Sequence, residues 1–227
     1  MLVFCIMFSR LREPGPSRLA SKRAINAYRR RSDAVYLVSF PRTGSHWLRM
    51  MCEQYAQRPT LVRAFYQHDN SDYLFMHFHD VDLDFSGENI IYLYRDPVET
   101  VYSMLKYAQT SGEDQVRLWS DRYASHLRKW LLQEDFTHRK VVVRYEDLPA
   151  ALHTVVEFLH VDWDPGRFES VRAEVTRGHV SERTVHDPQV VSRDPDYELQ
   201  RRAFRQEYSD LVLELVLSDD RLRPYFG

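Results

Sequence analysis

The sequence predicts an α/β fold: a central parallel sheet with helices on both faces. Three observations carry this expectation. Short apolar, β-branched runs alternate with longer segments of helical periodicity, as in a sheet whose strands are covered on both sides. The 227 residues suit one compact domain. The polar breaks Pro41-Arg42-Thr43-Gly44 and Arg95-Asp96-Pro97 each stand between an apolar run and a helical pattern. In such sheets ligands bind beyond the carboxyl ends of the strands, and Arg42, His79, Arg95 and Tyr145 all fall at or just past predicted strand ends.

Arg10 to Arg31 is basic, with Glu13 its single acid, and Pro14 and Pro16 break its start. We read residues 1–32 as a basic lead-in, with a short helix over Ala20 to Tyr28, and residues 33–227 as one domain. Val35 to Phe40 is a buried strand. Pro41 and Gly44 punctuate the turn after it, and a helix begins near Ser45, with Trp47, Met50, Met51 and Tyr55 at helical spacing. Strand, tight turn and helix in that order aim backbone N–H groups and the positive helix end at one point. The chain has only seven glycines, so one in this turn is unlikely to be filler.

Tyr73 to His79 reads as a strand with Tyr73, Phe75, His77 and His79 on one side and Leu74, Met76 and Phe78 on the other. Asn89 to Tyr94 is a further strand. Asp96 caps the helix after it, with Pro97 at its first position and Val98, Val101, Tyr102 and Leu105 as its apolar stripe. Val116, Trp119, Tyr123, Leu127 and Trp130 mark a long amphipathic helix. Lys140 to Arg144 is another strand, and Asp147 is expected to cap the helix carrying Leu152, Val155 and Val156. Asp164-Pro165 starts a helix with Phe168, Val171 and Val175. Residues 177–193 read as an irregular flap, and Asp194-Pro195 opens the last helix.

Composition narrows the function classes. A net charge of −2 gives no global attraction to nucleic acid or membrane, so any anion must meet local positive charge. Cys5 and Cys52, the two cysteines, make neither a disulfide framework nor a zinc pattern and suit a reducing compartment. The apolar Met1–Phe8 run is too short to span a bilayer, and Arg10 and Arg12 follow rather than precede it. The expectation is a cytoplasmic protein with no transmembrane segment and no nucleic-acid partner.

With these residues in place, the chain resembles the sulfotransferases that use 3′-phosphoadenosine-5′-phosphosulfate (PAPS, leaving the product PAP). Their first strand–loop–helix carries Pro-Lys/Arg-Ser/Thr-Gly-Thr/Ser-x-Trp/Leu around the 5′-phosphosulfate, and here it stands as Pro41-Arg42-Thr43-Gly44-Ser45-His46-Trp47. Their Arg-Asn/Asp-Pro with a spaced serine, on the 3′-phosphate, is matched by Arg95-Asp96-Pro97 and Ser103. Their Tyr-Glu-Asp-Leu/Met, with its tyrosine near the adenine, is matched by Tyr145-Glu146-Asp147-Leu148. The three occur in family order and span most of Val35 to Leu159. The resemblance implies a phosphate-loop-like sulfotransferase architecture, with PAPS held by Arg42, Thr43, Gly44, Ser45, His46, Trp47, Arg95, Ser103 and Tyr145.

In that family the base is the histidine of a Lys-Thr-His segment after a strand. His79 holds that position, His77 stands in place of the lysine and Phe78 in place of threonine. The resemblance thus implies His79 as general base, His77 as its helper and Arg42 as a catalytic cation, with no metal. The family's C-terminal Arg-Lys-Gly…Gly-Asp-Trp segment is absent, and Arg177, Arg183 and His186 lie in roughly the corresponding region, Arg183 being the candidate cofactor ligand there. The expected acceptor is a hydroxyl on a small molecule or carbohydrate, and a homodimer is possible. Tyr66, Tyr73, Phe75, Tyr107, Trp119 and Trp130 are aromatics available to a pocket or to the core.

Chemistry supports the same roles independently. A βα turn offers N–H groups to one phosphate, and arginine offers a bidentate fork to another. Histidine can accept a hydroxyl proton near neutral pH. Other readings are a phosphate-loop nucleotide kinase, a non-catalytic nucleotide-binding protein of the same fold, and a metal cluster of His77, His79, Asp80 and Asp82. The kinase motif Gly-x-x-x-x-Gly-Lys-Ser/Thr is not met by Phe40–Trp47, which lacks the first glycine and the lysine.

Overall fold

A computed structural model describes residues 18–67, 71–87, 89–133, 137, 139–184 and 194–227. In chain order its elements are β1 (Arg18–Leu19), α1 (Lys22–Tyr28), β2 (Val35–Ser39), α2 (Ser45–Ala56), β3 (Arg63–Ala64), β4 (Met76–Phe78), β5 (Asn89–Tyr94), α3 (Pro97–Ala108) and α4 (Glu113–Leu127). A π turn over Arg128–Leu132 prolongs α4, and β6 (Arg139–Arg144), α5 (Leu152–Phe158), α6 (Pro165–Glu174), α7 (Arg177–Arg183) and α8 (Tyr197–Val216) follow. The central sheet has the order β4-β2-β5-β6 and is parallel throughout. β1 and β3 form a separate antiparallel pair.

The alternation of side chains along the strands builds two cores. Tyr36, Val38, Ile90, Tyr92 and Tyr94 face α3, α4 and α8, where they meet Val101, Tyr123, Leu127, Trp130 and Val212. Leu37, Ile91, Leu93 and Val143 face the other way, onto Leu48, Met51 and Tyr55 of α2 and Leu152, Val155 and Val156 of α5. Leu48, Met50, Met51 and Tyr55 are fully buried. Each such side chain contributes about 1.5–3 kcal/mol through loss of apolar surface from water, which anchors α2 under the turn that precedes it.

Three local readings need correction or refinement. Asp147 does not cap α5: Tyr145–Asp147 forms a 3₁₀ turn, Leu148 is extended, and α5 starts at Leu152 after Ala151 with no side-chain cap. An extended residue before proline is the reason, because the proline ring disfavours helical geometry there. Residues 177–183 are a helix rather than flap, capped by Thr176 Oγ1 accepting from His179 N at 3.2 Å and docked through buried Val180. A single buried apolar residue leaves too little periodicity to read. Residues 185–193 of the same reading lie outside the described residues. The strand at Tyr73–His79 is shorter than expected, Met76–Phe78, because Leu74 and Phe75 bond instead to the backbone of Pro59 and Leu61.

Of the stretch read as lead-in, residues 18–32 are described, and Tyr28 among them packs into a core. Tyr28 is buried, its hydroxyl 3.1 Å from the Val35 carbonyl and 3.3 Å from that of Leu74 while it accepts from Val35 N. No helix among the described residues is long and apolar enough to cross a membrane.

Candidate active site

The carboxyl ends of β2, β4, β5 and β6 bring the sequence candidates together. After β2, Arg42 adopts a left-handed backbone with φ 73°, and Gly44 follows at φ 91° as the residue before α2. Thr43 closes the turn by donating from Oγ1 to the Phe40 carbonyl at 2.8 Å. α2 begins without a side-chain cap; Trp47 N donates back to the Gly44 carbonyl at 3.0 Å, and the N–H groups of Ser45 and His46 are those an anion would meet. Ser45 is buried in that first turn. A Cβ on Gly44 would overlap the ring of Tyr145, which rises from the end of β6. Trp47 packs edge-on against the same ring at 5.5 Å and donates from Nε1 to the Val175 carbonyl at 2.7 Å.

Arg42 and Arg95 converge from neighbouring strands. Arg42 Nε donates to Ser103 Oγ at 3.1 Å, and its guanidinium lies 5.5 Å from the centroid of the Tyr107 ring. Arg95 lies over Tyr145, 4.6 Å from the ring centroid, and its Nε is buried with no hydrogen-bond partner among the described residues. An unmet buried donor costs free energy. The open helix end, the glycine cradle and this orphan arginine N–H are the features a nucleotide with two separated phosphates would satisfy.

Glu99, one turn along α3, is the acid beside Arg95. Its Oε2 lies 3.5 Å from Arg95 Nη2, but 2.7 Å from Arg201 Nε, and its Oε1 pairs with Arg205. Burial would raise the Glu99 carboxyl, yet the hydrogen bonds from Arg201 and Arg205 prevail and hold it below its usual value. The two α8 arginines thereby draw this charge away from Arg95. Sequence reading missed them, although the i, i+4 spacing of Arg95 and Glu99 was a signal.

His77 and His79 stand on the α2 side of β4, with ring centroids 4.7 Å apart. His79 Nδ1 lies 2.8 Å from the Ser39 carbonyl oxygen. A carbonyl only accepts, so Nδ1 carries the proton and the Nε2 lone pair is left for chemistry. His77 Nε2 is bonded to Ser39 Oγ at 3.1 Å. Burial pushes His79 down to about 4, against the upward pull of its bond to Ser39 and with Arg49 and Arg42 adding to the depression. Burial likewise holds His77 and His46 well below the usual histidine value. His46 packs edge-on against Phe65 at 5.5 Å.

Asp80 is turned away from the histidines: its Oδ2 accepts from Lys129 at 2.7 Å and from Trp130 Nε1 at 3.1 Å. Among the described residues no group of three or more His, Cys, Asp or Glu is arranged to hold a metal ion. Phe75, Trp119 and Trp130 are core residues, whereas Tyr107 reaches Arg42. The side chains of Arg177 and Arg183, and all of His186, lie outside the described residues.

No family model and no curated protein matches the chain. Among solved structures it shares the α/β fold of a sulfotransferase. That structure is mouse sulfotransferase SULT7A1 complexed with PAP, similar at a TM-score of 0.50 and 15% identity over 87% of this chain and 93% of that chain. At this identity the likeness shows the fold.

Proposed function

We propose that the protein is a sulfotransferase that uses PAPS and transfers to a hydroxyl of a small-molecule or carbohydrate acceptor. The observation that carries the reading is the gathering of Gly44, His79, Arg95 and Tyr145 at one edge of one sheet, at the ends of its four strands. In this reading the α2 N-terminus with Arg42, Thr43, Ser45 and His46 holds the 5′ end of the nucleotide. Arg95 and Ser103 hold the 3′-phosphate, and Tyr145 with Trp47 flanks the base. Bound there, PAPS supplies an activated sulfuryl group.

His79, neutral at physiological pH, takes the acceptor proton at Nε2 while the Ser39 carbonyl fixes its tautomer. Arg42 and the N–H groups near Gly44 stabilise the negative charge that grows on the leaving oxygen. His77, tied to Ser39 Oγ, holds the His79 surroundings rather than a second proton, because burial keeps it neutral.

The test is transfer of labelled sulfate from PAPS across a panel of hydroxylated acceptors, with His79→Ala alongside. Transfer by the wild-type chain, lost in His79→Ala while PAP still raises the melting temperature, is the expected result. Full turnover in His79→Ala would overturn the base assignment. Stabilisation by Mg-ATP rather than PAP would favour a phosphate-loop kinase, and PAP binding with no transfer a non-catalytic nucleotide-binding protein.

A further inference from the structure

We propose that His126 of α4 is a positioning residue for His79, holding the His79 main-chain carbonyl from the opposite side of the sheet and so setting the direction of the His79 imidazole. This rests on the reading of His79 as the base.

The geometry begins with a reversal of the chain. β4 ends at Phe78, and Asp80 has φ 43°, so the backbone turns sharply just after His79. A residue at such a turn has no ladder partner to hold it. Its ring is tied to Ser39 on the α2 side. Its carbonyl is tied to α4: His126 Nε2 lies 2.9 Å from the His79 oxygen. Because that oxygen only accepts, Nε2 carries the proton, and Nδ1 must accept in turn. Tyr92 supplies the donor, its hydroxyl 3.0 Å from His126 Nδ1. One neutral tautomer therefore satisfies both ring nitrogens.

Both His126 and Tyr92 are fully buried. An apolar side chain would fill the same space without desolvating an imidazole and a phenol. What the polar pair adds is a directional hold on one carbonyl. The same face of α4 and its π turn continues the grip, with Lys129 Nζ and Trp130 Nε1 on the Asp80 carboxylate and Lys129 also on the Phe85 carbonyl at 2.6 Å. One turn earlier Tyr123 accepts from Arg95 N at 3.0 Å and donates to Arg95 O at 2.7 Å. α4 thus sets the main chain at the ends of two strands whose side chains face the site.

The test uses the full chain labelled with ¹⁵N and reads the His79 ring nitrogens by NMR, alongside steady-state transfer. In the wild type His79 shows the Nδ1–H tautomer alone. In His126→Phe it becomes a mixture of tautomers and titrates at higher pH. In transfer assays kcat falls about tenfold to a hundredfold, the scale of a misdirected base, with KM for PAPS within about twofold. His126→Gln, whose amide N–H can serve the same carbonyl, restores the tautomer and most of kcat.

Tyr92→Phe, which frees the Nδ1 lone pair at almost constant volume, repeats the tautomer mixing if His126→Phe does not fold. A folded variant whose His79 ring keeps its tautomer and titration overturns the proposal. A wild-type chain that transfers no sulfate, while His79 still loses its single tautomer in the variants, refutes the sulfotransferase reading and leaves the hold of His126 on His79 standing.

Discussion

The ring of Tyr145 occupies the space a side chain on Gly44 would need. Two motifs a hundred residues apart in the chain are thereby locked as one surface, with Trp47 packed edge-on against the same ring. Gly44 is required twice, by this contact and by its φ of 91°. Gly44→Ala is expected to destabilise the fold by about 1–3 kcal/mol and to abolish nucleotide-induced stabilisation. Denaturant unfolding and a thermal shift with PAP check it. A variant that binds PAP as the wild type does would mean that the turn is not the anion site.

Arg95 presents a buried Nε with no hydrogen-bond partner among the described residues, beside the Tyr145 ring. Arg95→Ala should weaken PAP by about thirtyfold or more, the worth of one or two charge-assisted hydrogen bonds. AMP, which lacks the 3′-phosphate, should change much less. Calorimetric titration of both nucleotides decides, and equal losses would contradict the 3′-phosphate role.

Arg201 holds Glu99 Oε2 at 2.7 Å, nearer than the 3.5 Å from the same oxygen to Arg95. In Arg201→Met, Oε1 stays paired with Arg205, but Oε2 loses its nearer cation and is left to Arg95, where it competes with a phosphate. PAP affinity is expected to fall about threefold to tenfold, the scale of a partly exposed ion pair. Adding Glu99→Gln should reverse the loss. Unchanged PAP affinity in Arg201→Met would show that Arg201 does not keep Glu99 from Arg95.

Buried histidines predict an acid-sensitive fold. Burial holds His79 at about 4 and His126 at about 3, and depresses His46 and His77 as well. The unfolded chain takes up these protons near pH 6.5, whereas the folded chain resists until lower pH. Their contribution is fully present above pH 6.5 and is lost as pH falls through the folded values toward 4 and 3. Urea unfolding between pH 7 and 4.5 should show stability dropping by more than about 1.4 kcal/mol per pH unit, the slope for one proton. His126→Phe should make that slope shallower. A flat profile would mean that these rings are solvated.

Much of the site was legible because its motifs are local. Pro41 to Trp47 and Arg95 to Ser103 each place their polar groups through a single turn and the first helical turns after it, marked by Pro41 and Gly44 in one and by Asp96-Pro97 in the other, although nothing local announced the left-handed Arg42. The Asp96 cap held as expected, accepting from Glu99 N at 2.9 Å. Asp147 failed as a cap because an extended Leu148 before Pro149 delays the helix, and α7 escaped notice because Val180 and the Tyr66–His179 contact that dock it leave no helical apolar stripe. His126, Glu99 and Arg201 gave little warning. A histidine on an amphipathic stripe or an arginine on a polar helix has no distinguishing pattern until its partner is known.

The sequence alone determined the strands of the central sheet, most of the long helices that cover it, and which residues stand at the strands' carboxyl ends. Those properties depend on neighbours a few positions apart. Tertiary structure decided the order β4-β2-β5-β6, and with it that Ser39 lies beside His79 and that Tyr145 closes over Gly44. It also decided that α4 and α8 reach the His79 carbonyl and Glu99. The reason is physical. A hydrogen bond or ion pair between distant segments forms only after the sheet and both cores have fixed their separation, and no local preference encodes that distance.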